Sequence, residues 1–326
     1  MLQNASIASG ETNTIKVDKL IINDYPTAKN YSYYDADFET MLAKTFAGID
    51  RSRIYTCLKD TDPNAPGDFN NFVTAVQTLA EMDGANLFVG AGEWDIISEL
   101  GTTYMAAVDA HNNWGLVLKN KIRIVGSSKA VIKAIHNMSD STYAEEQHNN
   151  IKQYFSVFNA GVHGFTIENL SIEDENIRYS VHDDLGNAGS TPYHNRYLNC
   201  RFKHIDGMYP DCIGAGIGED CYVEIRGCFF DGDVTRNGNP VTRYVYYHGN
   251  NNSSVTDAKA QIYVTDNYFT NSGTFKLTNY GTSEAPSGIA YVSNNCMGSE
   301  PEVTNGSSVP VPNNMVMYKW NNVVRT

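Results

Sequence analysis

A six-residue pattern recurs down the second half of the chain: apolar, any residue, Asn/Asp/Gly, small or apolar, any residue, apolar. Its copies read Ile167-Glu-Asn169-Leu170-Ser-Ile172, Tyr197-Leu-Asn199-Cys200-Arg-Phe202, Ile225-Arg-Gly227-Cys228-Phe-Phe230, Val264-Thr-Asp266-Asn267-Tyr-Phe269 and Val292-Ser-Asn294-Asn295-Cys-Met297. A looser copy is Tyr318-Lys-Trp320-Asn321-Asn-Val323, and the first positions lie 30, 28, 39, 28 and 26 residues apart. Upstream, Leu116-Val-Leu118-Lys-Asn120-Lys-Ile122-Arg-Ile124-Val-Gly126 has the same character of strand, polar turn and strand. The alternation predicts two short strands meeting at a bend, where Asn, Asp or Gly tolerates left-handed backbone or bonds to it locally. Neither strand buries its apolar face alone, so successive copies must stack, Asn above Asn and Cys above Cys. Spacings of 26 to 30 residues suit one coil of a parallel β-helix, and 39 suits a coil with an inserted loop. Parallel crossovers favour a right-handed coil. A β-sandwich would need closer turn signals and would not repeat one bend. The expected fold is therefore all-β: a right-handed, single-stranded parallel β-helix, or β-solenoid.

Ahead of the coils, Pro66-Gly67-Asp68 precedes Phe69, Phe72, Val73, Val76 and Leu79, an apolar stripe at helical spacing. It predicts an N-terminal capping helix with Asp68 as N-cap, ended by Asp83-Gly84. Such a helix covers the open end of the first coil and its unpaired strand edges. Strand, Gly turn and strand follow from Leu87 to Ile96. Residues 1–65 differ: IKVDKLIIND reads as a short strand pair, and Asp37-Phe38, Met41-Leu42 and Phe46 as a short amphipathic helix. The chain thus divides into an N-terminal attachment or capping region, 1–65, and a β-helix domain, 66–326.

The segment DFNNFVTAVQTLAEMDGANLFVGAGEWDI resembles the start of pectate-lyase-like right-handed β-helix proteins: a capping helix, a strand, then a Gly turn before an aromatic. NWGLVLKNKIRIVGSS, GVHGFTIENLSIEDENIRYSVHDD and YHNRYLNCRF resemble the β-helix domains of phage tail and tail-spike proteins. The resemblance implies a virion component of tail-spike or baseplate type that engages host cell-surface glycan, by binding alone or by cutting it. It further implies a homotrimer in the virion tail, with residues 1–65 meeting other tail or baseplate proteins. The fold also hosts lyases, hydrolases, esterases and inert adhesins. An extracellular polysaccharide lyase or glycoside hydrolase, and a purely structural tail protein, therefore stay open. The matched stretches lack the polygalacturonase-type NTD, DD and GHG set, which speaks against a pectinase.

Charge narrows the partners. With 24 Lys+Arg against 37 Asp+Glu, the formal net charge of -13 speaks against nucleic acid, which needs a basic face. An apolar fraction of 41% supports a substantial core rather than disorder. No apolar run is long enough to insert in a membrane, and MLQNASIASGETNT lacks the basic and then apolar segments of a signal peptide. The six cysteines show no CxxC pair and no zinc-type spacing. Buried free thiols are expected, in keeping with folding in a reducing compartment.

Three segments are candidates for chemistry. In Arg178-Tyr179-Ser-Val-His182-Asp183-Asp184, strand alternation puts Arg178, Ser180, His182 and Asp184 on one face. Facing outward they form a base, a cation holder and a substrate-carboxylate clamp; facing inward they form a buried network that stiffens an irregular coil. Asp206, Asp231 and Asp233 follow template ends and read either as carboxylates in a glycan groove or as turn formers at corners. Asp231-Gly-Asp233 begins like a calcium loop but has Thr242 where a bidentate Glu belongs, so no metal or cofactor is expected. In the long coil Tyr244, Tyr246 and His248 share a face, with Tyr280 in the next, which suits sugar contact or core stacking equally. Gly214-Ala-Gly216-Ile-Gly218 mimics a phosphate loop, but no helix follows and a bend is expected. His111, His136, His163 and His204 stand apart as ordinary polar residues.

Overall fold

The computed structural model describes residues 38–59, 67–160, 164–183, 193–216, 221–232, 235–236, 239–240, 243–248, 259–279, 287–305 and 314–325. Among them the chain winds through three parallel sheets of nine, eight and seven strands. One coil illustrates the path. Phe165–Glu168 lies in the nine-stranded sheet, Ser171–Glu175 in the eight-stranded and Tyr179–Asp183 in the seven-stranded, before Tyr193–Leu198 rejoins the first. Successive coils pair in register, so that Ile167, Tyr197, Ile225, Val264 and Val292 form one column. This is a parallel β-helix. The longest spacing carries a short antiparallel hairpin, Thr235–Arg236 with Asn239–Pro240.

The repeated bend has the backbone that its residues allow. Asn169, Asn199, Gly227, Asp266 and Asn294, the third template position, have φ of 55, 51, 65, 59 and 56°. The sixth copy is displaced by one residue from the reading above: Val292 pairs with Lys319, and the left-handed residue is Asn321 with φ 53°. The fourth position forms a buried stack. Leu170, Cys200 and Cys228 give way to Asn267 and Asn295, then to half-buried Asn322. Asn267 Nδ2 donates to Asn295 Oδ1 at 2.9 Å, and Asn295 Nδ2 donates to Asn322 Oδ1 at 2.9 Å. The sixth position stacks Phe202 on Phe230 at 5.0 Å and Phe230 on Phe269 at 4.8 Å. Each such fully buried ring contributes about 1.5–3 kcal/mol of transfer free energy. All six cysteines are free thiols, and burial raises those of Cys200 and Cys212 well above the ordinary value, which leaves them unreactive.

The capping helix is Phe72–Ala80, and Phe72, Val73, Ala75, Val76, Leu79 and Ala80 bury into the core. Phe72 meets Trp94 at 6.4 Å and Phe158 at 6.2 Å, closing the first coils. Its N-cap is Asn71, whose side chain accepts from Thr74 N, and not Asp68. Asp68 instead accepts from the backbone and hydroxyl of Thr56, tying the helix approach to the strand Ile54–Cys57. That strand pairs with Asn86–Val89. The helix Phe38–Thr45 has the short amphipathic character read from its sequence. Met41, Leu42 and Phe46 cluster with Ile54, Leu58, Phe88 and Val125. IKVDKLIIND lies outside the described residues.

Candidate functional site

Two of the three candidate segments meet on the outer face of the seven-stranded sheet. Register places Asn159, His182, Gly214, Tyr246, Lys276 and Glu302 in one row across successive coils. Gly214 leaves a gap in that row. The segment expected to bend is in fact the strand Ile213–Gly216, and a Cβ at Gly214 would lie 2.5 Å from Tyr179 Cζ. The Tyr179 ring fills the gap, stacked on His182 at 5.5 Å and on Tyr209 at 5.2 Å. Arg178 lies over the rings of Tyr179 and Tyr209, at 5.2 and 5.7 Å.

A second cation sits beside this stack. Arg243 lies 3.9 Å over the Tyr246 ring, and its Nε is 2.9 Å from Oδ1 of Asp211, a carboxylate with no exposure. Burial works against the charge on Arg243, but Asp211 more than restores it and raises its pKa. Burial first, and Asp211 second, push the Tyr179 hydroxyl up, so it stays a neutral donor. Tyr246 contacts His248 at 5.4 Å. Arg178, Tyr179, His182, Tyr209, Asp211, Arg243, Tyr246 and His248 thus form one aromatic and cationic surface, of which Tyr209 and Asp211 carried no sequence signal.

Alternation misplaces three of the residues. Arg178 belongs to a corner opened by Asn176, whose φ is 56°, and the strand starts only at Tyr179. Ser180 is buried with no exposure, as is the adjacent Val181, so the alternation is broken there, and its hydroxyl donates to Asp174 Oδ2. Tyr244 is also buried, not outward with Tyr246 and His248, because the register shifts between Arg243 and Val245. Its hydroxyl donates to Gly232 O at 3.1 Å, and burial pushes its pKa up to about 12.

Asp206 and Asp231 do not join this surface. Asp206 is an exposed corner residue with φ 50°. Asp231 stands on the eight-stranded sheet, in register with Lys203, and accepts from Thr270 Oγ1 at 2.7 Å. Asp184, Asp233 and Tyr280 lie outside the described residues. No group of three or more His, Cys, Asp or Glu is placed to hold a metal ion among the described residues. No described helix is long and apolar enough to cross a membrane.

Three buried polar networks went unread in the sequence. Asp183 accepts from Asn195 Nδ2 at 2.8 and 2.7 Å and from Tyr197 and Tyr247 hydroxyls at 3.2 and 3.4 Å. Asp174 accepts from both Ser180 and His204 Nδ1, while His204 Nε2 faces Tyr209 O at 2.7 Å. This has the residue types of a hydrolytic triad but not its wiring. The carboxylate sits between Ser and His, both imidazole nitrogens are engaged, and Asp174, Ser180 and His204 are at most 2% exposed. In the third, His136 Nε2 lies 2.8 Å from His148 Nδ1, beside the helix Glu145–Tyr154. Burial and then the neighbouring His148 lower the His136 pKa to about 4. The unfolded chain, with its histidine pKa of about 6.5, therefore binds the proton more readily, and folding stability falls as pH drops below that value. The loss reaches about 3 kcal/mol near pH 4. Urea midpoints between pH 7 and 4 should show it, and His136→Phe should remove that share of the slope.

Compared with known protein families, curated proteins and solved structures, the chain finds no match in any of them.

Proposed function

We propose that this protein is a glycan-engaging β-helix of phage tail-spike or baseplate type, which binds host cell-surface polysaccharide along the outer face of the seven-stranded sheet. The observation that carries the reading is the row of hydrogen-bonding side chains in register across coils, Asn159, His182, Tyr246, Lys276 and Glu302, with the rings of Tyr179 and His248 packed beside it. Neighbouring coils repeat every ~4.8 Å, so such a face offers polar side chains at a regular spacing along its length. A polymer with repeated hydroxyls profits from that periodicity more than a single small ligand does. Tyr and His present apolar edges with polar tips, which suits sugar at small entropic cost. Within this reading the protein works as a homotrimer in the virion tail, and residues 1–65 join it to other tail or baseplate proteins.

The test is a panel of bacterial surface polysaccharides, in which binding, chain length and the ultraviolet absorbance of unsaturated product are followed together. Binding with unchanged chain length is expected, and Tyr246→Ala should weaken it about tenfold or more. Unsaturated product would make the molecule a lyase, and shortened chains without it a hydrolase. A chain that bound no member of the panel would be a structural tail part, and the glycan reading would fall.

A further inference from the structure

Arginines on this solenoid are commonly matched to acids. Arg123 pairs with Glu168, Arg196 and Arg226 share Glu224, and Arg243 pairs with Asp211, all at 2.8–2.9 Å. Arg178 differs. Among the described residues no carboxylate pairs with it, and its buried Nε has no hydrogen-bond partner. Two tyrosine rings hold its guanidinium in place while supplying no acceptor. A buried donor left without an acceptor calls for an explanation, and an anion that arrives in function is one. Guanidinium is the side chain best shaped for a planar or tetrahedral oxyanion. The neighbouring Arg243 does not compete for that role, because Asp211 already neutralises it.

We infer that Arg178 is an anion subsite of the glycan face, taking a carboxylate, sulfate or phosphate substituent of an acidic polysaccharide. The inference rests on the glycan reading above and narrows it to acidic polymers. A local cation offsets, for an acidic ligand, the net repulsion of a chain of charge -13. Tyr179 and Tyr209 act as positioning residues, since their rings fix the guanidinium.

Calorimetry on the full chain, with a uronate polymer, a sulfated polymer and neutral dextran, tests this at low and high salt. The acidic polymers should bind about tenfold or more tighter than dextran at low salt, and the margin should shrink as salt screens it. Arg178→Gln should erase the margin, bringing the affinity for the acidic polymers down to that of the same variant for dextran, and Arg178→Lys should restore part of it. Equal binding of the acidic polymer by wild type and Arg178→Gln would overturn the subsite and leave the glycan reading standing. If no polymer binds in any arm, the glycan reading fails, and the Arg178 Nε–H resonance of the wild-type chain is then followed against inorganic phosphate. A saturable shift upholds an anion site for a free anion; an unmoved resonance overturns that too. The same resonance decides the matter should Arg178→Gln fail to fold.

Discussion

Asn295→Ala should destabilise the protein by about 3–5 kcal/mol, far more than an average substitution. Asn295 is 1% exposed and occupies the middle of the asparagine stack. Its Oδ1 accepts from Asn267 N and Nδ2 at 2.9 Å, and its Nδ2 donates to Val264 O at 2.8 Å and to Asn322 Oδ1 at 2.9 Å. Removing the amide leaves the buried Asn267 N–H without its acceptor, takes one of two acceptors from Asn267 Nδ2 and takes the side-chain donor from the Val264 carbonyl, while Asn322 Oδ1 keeps the Asn295 backbone N–H. Its neighbour Asn294 is the control. That residue is exposed and holds the left-handed backbone at φ 56°, so Asn294→Ala should cost only about 1 kcal/mol of backbone strain. Chemical denaturation of both variants separates bend geometry from bend wiring. A loss at Asn295 no larger than at Asn294 would remove the stack as a source of stability.

The same bend explains how much of the fold could be read beforehand. The left-handed residue and the fourth-position stack are local properties of Asn, Gly and Cys, and they survive translation from sequence to structure unchanged. The sixth copy slips because the outward residues there are apolar: Tyr318 and Trp320 are 53% and 46% exposed, so hydrophobicity no longer separates inside from outside. Lys319 stands in register with buried Val292 yet is itself exposed, and it reaches Glu300 and Pro301 O at 3.4 and 3.3 Å. Tyr244 was misplaced by a bulge that leaves no trace in composition. The candidate surface was half legible. His182 and Tyr246 have the right residue types on the right strands, but their meeting depends on Gly214 sitting between them, a fact of register. Asp211 and Arg243 are 32 residues apart in the chain and become partners only through the stacking of coils.

Asp174 and His204 lead to the other large effect, and it has a sign that can be checked. Both imidazole nitrogens of His204 face oxygens, Asp174 Oδ1 and Tyr209 O, an arrangement that favours the doubly protonated, positively charged ring beside an ionised Asp174. Burial alone would lower its pKa, but the Asp174 carboxylate and these hydrogen bonds outweigh burial and raise it. A raised folded pKa means that the contribution is fully present below the unfolded value of about 6.5 and is lost as pH climbs through the folded one. Inside that window each pH unit removes about 1.4 kcal/mol. His136 acts in the opposite direction on the acid side, so the two histidines confine maximal stability between their losses. Asp174→Ala strips His204 of its counter-charge and should cost about 3–5 kcal/mol near pH 6. It should also invert the trend. With the carboxylate gone, burial governs His204 and depresses its pKa, so the variant's own His204 contribution is lost on acidification and no longer on alkalinisation. The informative quantity is the wild-type minus variant difference in unfolding free energy, because His136 and the surface carboxylates cancel from it. That difference should shrink as pH rises above 6.5. A difference flat across the window would mean that His204 is not charged in the folded coil, and Asp174→Asn offers the same measurement with less disturbance of volume.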